Sequence, residues 1–185
     1  MGNLANATED RSHYSAWAIM SSPLILSFNL TDPVRMDRAW PIISNRRVLA
    51  VNQRWAGDPG RRVALSADGG WQAWAKPMGS ASFAVFLVAT GDAPARASLP
   101  LQNVSAAFAP HTGVCARDLY TGKMLTLLAP GKSLEASLPV HDSAPVSKVM
   151  RVPKGERGAR RRRSPCAPAR GWWPPGRDTS GQRSP

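Results

Sequence analysis

One stretch, Asp10 to Gln53, limits the possible folds more than any other part of the chain. It reads DRSHYSAWAIMSSPLILSFNLTDPVRMDRAWPIISNRRVLAVNQ. Tyr14, Trp17, Ala18 and Ser21 fall at i, i+3, i+4 and i+7, the spacing of one helix face. Thr8 is the expected N-cap, with Glu9 and Asp10 in the first turn, where the helix dipole favours negative charge. Pro23 has no amide hydrogen and ends that helix. Leu24-Ile25-Leu26 then predicts a short strand, apolar on both faces as in a helix-covered parallel sheet. Asp32-Pro33 opens a second helix as N-cap and N1, with Met36, Ala39, Trp40 and Ile43 as its stripe. Asn45 is expected just beyond that helix, with Arg46 and Arg47 beside its negative end. Val48 to Val51 reads as another short apolar strand. Helix, buried strand, helix is one repeat of an α/β layer fold.

Arg54 to Arg62, RWAGDPGRR, is a turn cluster and a natural domain boundary. Gly57 and Gly60 supply flexible backbone there. No strand-to-helix transition or lysine follows at loop spacing, so it is not a phosphate loop. From Arg62 to Val152 the helical period disappears. The pattern predicts strands at Val63-Leu65, Trp71-Lys76, Ser82-Ala89, Ala97-Leu101, Val114-Leu119, Met124-Leu128, Ser133-Leu138 and Val146-Val152. Asp68-Gly69-Gly70, Met78-Gly79-Ser80, Gly91-Asp92 and Thr121-Gly122 supply turns. Short, evenly spaced strands with such turns predict an antiparallel sandwich. Asp118 reads as a turn residue, not a catalyst.

The net charge of +12 invites a nucleic-acid reading. Its distribution argues otherwise. Lys154 to Pro185 holds nine Lys or Arg against Glu156 and Asp178, a net of +7. The sequence after Val152 is Pro, Gly, Arg and Ser with almost no aliphatic side chains. It cannot bury enough apolar surface to offset its ordering entropy, so a disordered basic tail is expected. Cys115 and Cys166 could form a disulfide tying the tail to the β region, but the sequence does not show one, and two free thiols are the favoured reading. Asn6, Asn29 and Asn103 each head an Asn-X-Ser/Thr triplet, compatible with a secreted or lysosome-like setting. Asn29, at the end of the expected strand, is the least accessible of the three. There is no run of about eighteen apolar residues. MGNLANATED has neither the basic start nor the apolar stretch of a signal peptide. His13, His111 and His141 lack metal-ligand spacing, and His13 reads as a packed histidine. No Gly-x-Ser-x-Gly elbow is present.

Six pieces of the chain together resemble one family. They are Gly2-Asn3, Arg11-Ser12-His13-Tyr14, Trp17-Ala18-Ile19-Met20, Ser22-Pro23-Leu24, Ile43-Ser44-Asn45 and Val48-Leu49-Ala50-Val51-Asn52-Gln53. In this order and spacing they resemble the last quarter of the catalytic barrel of the α-galactosidases and α-N-acetylgalactosaminidases, glycoside hydrolase family 27 (melibiases). Trp74-Ala75-Lys76-Pro77, the Phe83-to-Val88 strand and Arg117-Asp118-Leu119-Tyr120 resemble landmarks of that family's C-terminal β domain. The resemblance implies an α/β plus all-β chain. Residues 1–55 would be the C-terminal end of a (β/α)8 TIM barrel, 60–152 an antiparallel β-sandwich, and 153–185 the disordered Arg/Pro-rich tail. Pro23 to Ser27 would be the eighth barrel strand, placing Ser27, Phe28 and Asn29 toward the active-site end. Many relatives carry Asp where this chain has Asn29.

The implied activity is retaining hydrolysis of terminal α-galactosides by a nucleophile and an acid/base about 5 Å apart. In the family both are aspartates on earlier strands. A sugar-contacting Trp-x-Asp-Pro-Asp-Met motif would also lie upstream of Met1. The resemblance therefore places no catalytic, substrate-binding or metal residue in this chain, and the chain alone is expected to be inactive. It implies no cofactor. The implied partner is an α-galactoside oligosaccharide or glycolipid, bound through the missing barrel part, with a homodimer possible and neither nucleic acid nor membrane involved. Two other readings are a non-catalytic carbohydrate-binding sandwich and, less favoured, a nucleic-acid binder acting through the basic tail.

Overall fold

The computed structural model describes residues 2–79, 82–108, 114–128, 133–140 and 142–151, with the backbone alone for 125–128 and 144–151. His111, His141, Cys166 and the basic tail lie outside the described residues. Three helices come first: α1 (Ala7–Met20), α2 (Pro33–Ile43) and α3 (Arg46–Gln53). Eight strands follow: β1 (Arg61–Leu65), β2 (Trp71–Gly79), β3 (Ser82–Ala89), β4 (Ala95–Pro100), β5 (Val114–Asp118), β6 (Met124–Leu128), β7 (Ser133–Leu138) and β8 (Ser143–Arg151). A short helix, α4 (Leu101–Val104), and a 3₁₀ turn at Ala106–Phe108 separate β4 from β5. The expected eight strands are all present. Leu101 starts α4, so β4 ends one residue earlier than expected.

Every strand pair is antiparallel. One sheet has six strands in the order β1-β2-β3-β8-β5-β6, and β4 with β7 forms a second. Ala73, Ala75, Val85, Leu87 and Ala89 point from the large sheet toward Leu99, Leu134 and Leu138 of the small one. Phe108 closes this core with its ring edge-on to Phe83, centroids 5.4 Å apart. Successive residues in a strand alternate between faces. The opposite face of β2 and β3 therefore presents Lys76, Met78, Ala84 and Phe86, and these too are buried. The helical segment covers them, with α1 packed on β2, β3 and β8. That explains why Phe83 to Val88 is a continuous apolar run. The strand has a layer on each side.

The helical segment departs from the sequence expectation in several places. Asn6, not Thr8, caps α1: its backbone is extended and its Oδ1 accepts from the Glu9 amide at 2.9 Å. The α1 helix ends at Ser21, in the left-handed region at φ 56°, two residues before Pro23. The expected strand at Leu24–Leu26 does not form; residues 22–27 run without regular structure. A strand is defined by its ladder, and among the described residues none pairs with this run. Asp32 and Pro33 open α2 as expected, the Asp32 side chain accepting from the Arg35 amide at 3.1 Å. Asn45 follows the C-cap Ser44 as the expected C′ residue, its amide on the Ile42 carbonyl at 3.2 Å, and it also caps the next helix. Its Oδ1 accepts from the amides of Arg47 and Val48, and the expected strand Val48–Val51 is instead part of α3. The buried face of α2 is Ala39 and Ile42, and Trp40 from the expected stripe is 59% exposed. Asn29 is exposed and sits in a turn, its Oδ1 accepting from the Thr31 amide and hydroxyl. Cys115 is disulfide-bonded, which corrects the expectation of a free thiol there.

Candidate functional site at the helix–sandwich seam

The seam between α1 and the sandwich concentrates the buried polar groups. Two sequence landmarks more than a hundred residues apart meet here. Arg11 of α1 forms an ion pair with Asp142, Nη2 to Oδ1 at 3.0 Å. Ser12 donates to the Ser143 hydroxyl at 2.9 Å. Ser15 and Tyr120 share a hydroxyl–hydroxyl bond of 2.9 Å, and the Tyr120 hydroxyl also reaches the Arg11 carbonyl at 3.3 Å. The Arg11 guanidinium lies 5.9 Å from the Tyr120 ring centroid. Burial pushes the Tyr120 phenol up to about 12, against smaller opposing effects of Ser15 and Arg11.

Tyr120 is held by the turn that follows β5. The Asp118 carboxylate accepts from the amides of Tyr120 and Thr121 and from the Thr121 hydroxyl. Gly122, at φ +73°, completes that turn, with its amide on the Asp118 carbonyl at 2.9 Å. A Cβ at Gly122 would lie 2.7 Å from the Arg47 guanidinium, so α3 packs directly on this turn. Asp118 is a turn residue in this geometry.

A second knot ties the first residues to α1 and α2. Asp10 is fully buried. It accepts from the Gly2 amide at 2.9 Å and pairs with Arg38 at 3.0 Å. Arg38 also donates to the carbonyls of Gly2 and Leu4. Gly2 has φ +88°, and a Cβ there would meet the Phe28 ring at 2.2 Å. No residue with a side chain fits that position without movement.

Lys76 is the third polar feature. Its side chain is fully buried on β2, and Nζ donates to the carbonyls of Val51 and Asn52. Burial lowers its pKa to about 8. Sequence reasoning placed Lys76 in a strand landmark and did not mark it as a buried cation. The signal was there: a lone charge between Ala75 and Pro77, in a strand with apolar neighbours on both sides.

These groups orient and hold the seam. Asp10, Asp118 and Asp142 are each spent on backbone amides or arginines. Glu9 accepts from the Asn6 side chain and the Ala5 amide. Glu9 and Asp142 also line a cleft of about 300 Å³ with Asn6, Thr8, Pro139 and Val140. Among the described residues no group of three His, Cys, Asp or Glu could hold a metal ion. His13 packs against Trp17 with ring centroids 4.4 Å apart, and burial lowers its pKa. No described helix is long and apolar enough to cross a membrane.

The architecture has known counterparts. Residues 68–146 match the family described as the alpha galactosidase C-terminal beta sandwich domain. A probable α-galactosidase of Dictyostelium discoideum is 30% identical over 141 residues, 76% of this chain and 35% of that protein. An α-galactosidase of Oryza sativa subsp. japonica is 31% identical over 141 residues, 76% of this chain and 31% of that protein. The crystal structure of α-galactosidase I from Mortierella vinacea superposes with a TM-score of 0.66 at 26% identity, covering 78% of this chain and 36% of that one. The chain is similar to the C-terminal part of the α-galactosidases. It spans about a third of the length of these curated relatives. At 19% identity the α-galactosidase of Saccharomyces cerevisiae shares the fold, with a TM-score of 0.69.

Proposed function

We propose that this chain is the C-terminal share of a retaining α-galactosidase-like glycoside hydrolase acting on terminal α-linked galactose in oligosaccharides or glycolipids. In this reading residues 1–55 are the last segment of a (β/α)8 barrel, 60–152 the C-terminal sandwich, and 153–185 a disordered basic tail. The observation that carries it is the reach of the α-galactosidase matches. They run over 141 residues, 76% of this chain, and so reach well beyond the 68–146 of the sandwich family. In this reading Pro23 to Ser27 stands where the eighth barrel strand would be. It carries Ile25 at 68% exposure, a side chain that barrel neighbours would cover.

The chemistry needs one carboxylate to attack the anomeric carbon and another to protonate the leaving oxygen. The carboxylates of Asp10, Asp118 and Asp142 are committed to structure, and in this reading the chain contributes scaffold. Two measurements test the reading. The purified chain should not hydrolyse an aryl α-galactoside. A chimera joining the upstream residues of the Oryza sativa relative to residues 1–152 of this chain should hydrolyse it. Turnover that follows the purified chain, or a folded chimera without turnover, would overturn the proposal.

A further inference from the structure

Lys76 lies in a place where packing alone would be served by Leu or Met. A buried lysine is costly unless its ammonium is satisfied. No described acid forms an ion pair with it, and burial lowers its pKa. Its ammonium donates to the carbonyls of Val51 and Asn52, in the last turn of α3. Those carbonyls have no partner within the helix, and a cation complements that end of the dipole. Asn52 then carries the linkage outward. Its Nδ2 donates to the Ser22 carbonyl at 2.8 Å and to the Trp17 carbonyl at 3.3 Å. Trp17 is in the last turn of α1, and Ser22 is the residue before Pro23. Beside them the Gly60 amide donates to the Ile19 carbonyl at 2.9 Å, where a Cβ on Gly60 would sit 2.6 Å from that oxygen.

We propose that Lys76 is a positioning residue: from the sandwich it fixes the last turn of α3 and, through Asn52, the end of α1. It thereby sets the point at which the run 22–29 leaves the helical layer. The clamp stands on this geometry. That the run borders a substrate site rests on the glycosidase reading.

Amide hydrogen exchange on the whole chain tests the clamp, using wild type, K76M, K76R and N52A. In K76M the amides of residues 50–54 and of Ser21 and Ser22 should exchange at least tenfold faster, while those of β3 and β5 change by less than about twofold. K76R should recover most of the protection, because it restores a charged donor. N52A should speed Ser21 and Ser22 while leaving residues 50–54 near wild type. Uniform acceleration through helices and sandwich would reduce Lys76 to an ordinary core residue, and K76R behaving like K76M would remove the role of the charge; either overturns the proposal. If K76M does not fold, N52A decides, and unchanged exchange at Ser21 and Ser22 overturns it. An inactive chimera together with the expected exchange pattern would sink the glycosidase reading and keep the clamp.

Discussion

The two faces of the large sheet are covered by layers of different character. On one face β4 and β7 supply Ala97, Leu99, Leu134 and Leu138, none more than 4% exposed, and an apolar core closes on itself. On the other face the helices touch the sheet through a mixture of apolar side chains and the polar bonds of Tyr120, Lys76 and Asp142. Their outer surface is open: Ile25, Val34 and Trp40 are 68, 78 and 59% exposed. A layer with two apolar faces and one covered has less to hold it than a closed sandwich. The sandwich is expected to supply most of the stability and the helices to borrow it.

The largest test of that contrast is division of the chain. Residues 1–55 alone should be unfolded, with weak helical circular dichroism and rapid proteolysis, because both the sheet and the uncovered side of the layer are lost. Residues 60–152 should keep a β spectrum. Protection of residues 1–55 in isolation would reverse the assignment of which region depends on which.

Within the whole chain, Leu99→Ala and Trp40→Ala should separate the two layers by denaturant unfolding. Leu99 is fully buried between the sheets. Its truncation leaves a cavity and should cost about 2–5 kcal/mol. Trp40→Ala should change stability by about 0.5 kcal/mol or less, as for other exposed sites. A large loss at Trp40 would mean that its ring is covered in solution.

Gly60→Ala should fall between these, at about 1–3 kcal/mol, the range for overpacking. The added carbon would meet the Ile19 Cγ2 at 2.2 Å and the Ile19 carbonyl oxygen at 2.6 Å. Wild-type stability would show that α1 can shift against the linker, and that the seam is softer than its hydrogen bonds indicate.

The two regions also differed in how far the sequence revealed them. The strands were legible almost residue by residue, because turns such as Asp68-Gly69-Gly70 announce themselves. Gly69 takes φ +73°, and Asp68 Oδ1 accepts from the Gly70 amide at 2.9 Å. The helical layer was legible as a family resemblance and misread as local structure. Leu24-Ile25-Leu26 has the composition of a strand, but a strand depends on neighbours, and none of the described residues pairs with it. Asn45 both follows the end of one helix and caps the next, and the second role shows only in its position against two amides. The seam was not legible. Nothing in the spacing of Ser15 and Tyr120 says that they touch, and Asp10 looked like an ordinary first-turn acid before Arg38 was seen beside it.

The last test is a pH dependence in which the seam pulls in two directions. Lys76 has a folded pKa of about 8 against an ordinary value of 10.5. Between those values the unfolded chain holds the proton and the folded chain has released it, so stability rises with pH in that window. Tyr120 has a folded pKa of about 12 against an ordinary value of 10.0. Between those values the folded chain holds the proton and the unfolded chain has lost it, so stability falls as pH rises. Tyr14, also raised by burial, adds to the fall. Apart from other titrating groups, the two residues together place maximum stability near pH 10. Difference curves isolate each: K76M should remove the rise between about 8 and 10.5, and Tyr120→Phe should reduce the fall above 10. The comparison of layers sharpens if both curves are matched by the helices melting separately from the sheet. If the sheet titrates with them, the seam is as rigid as the core it covers.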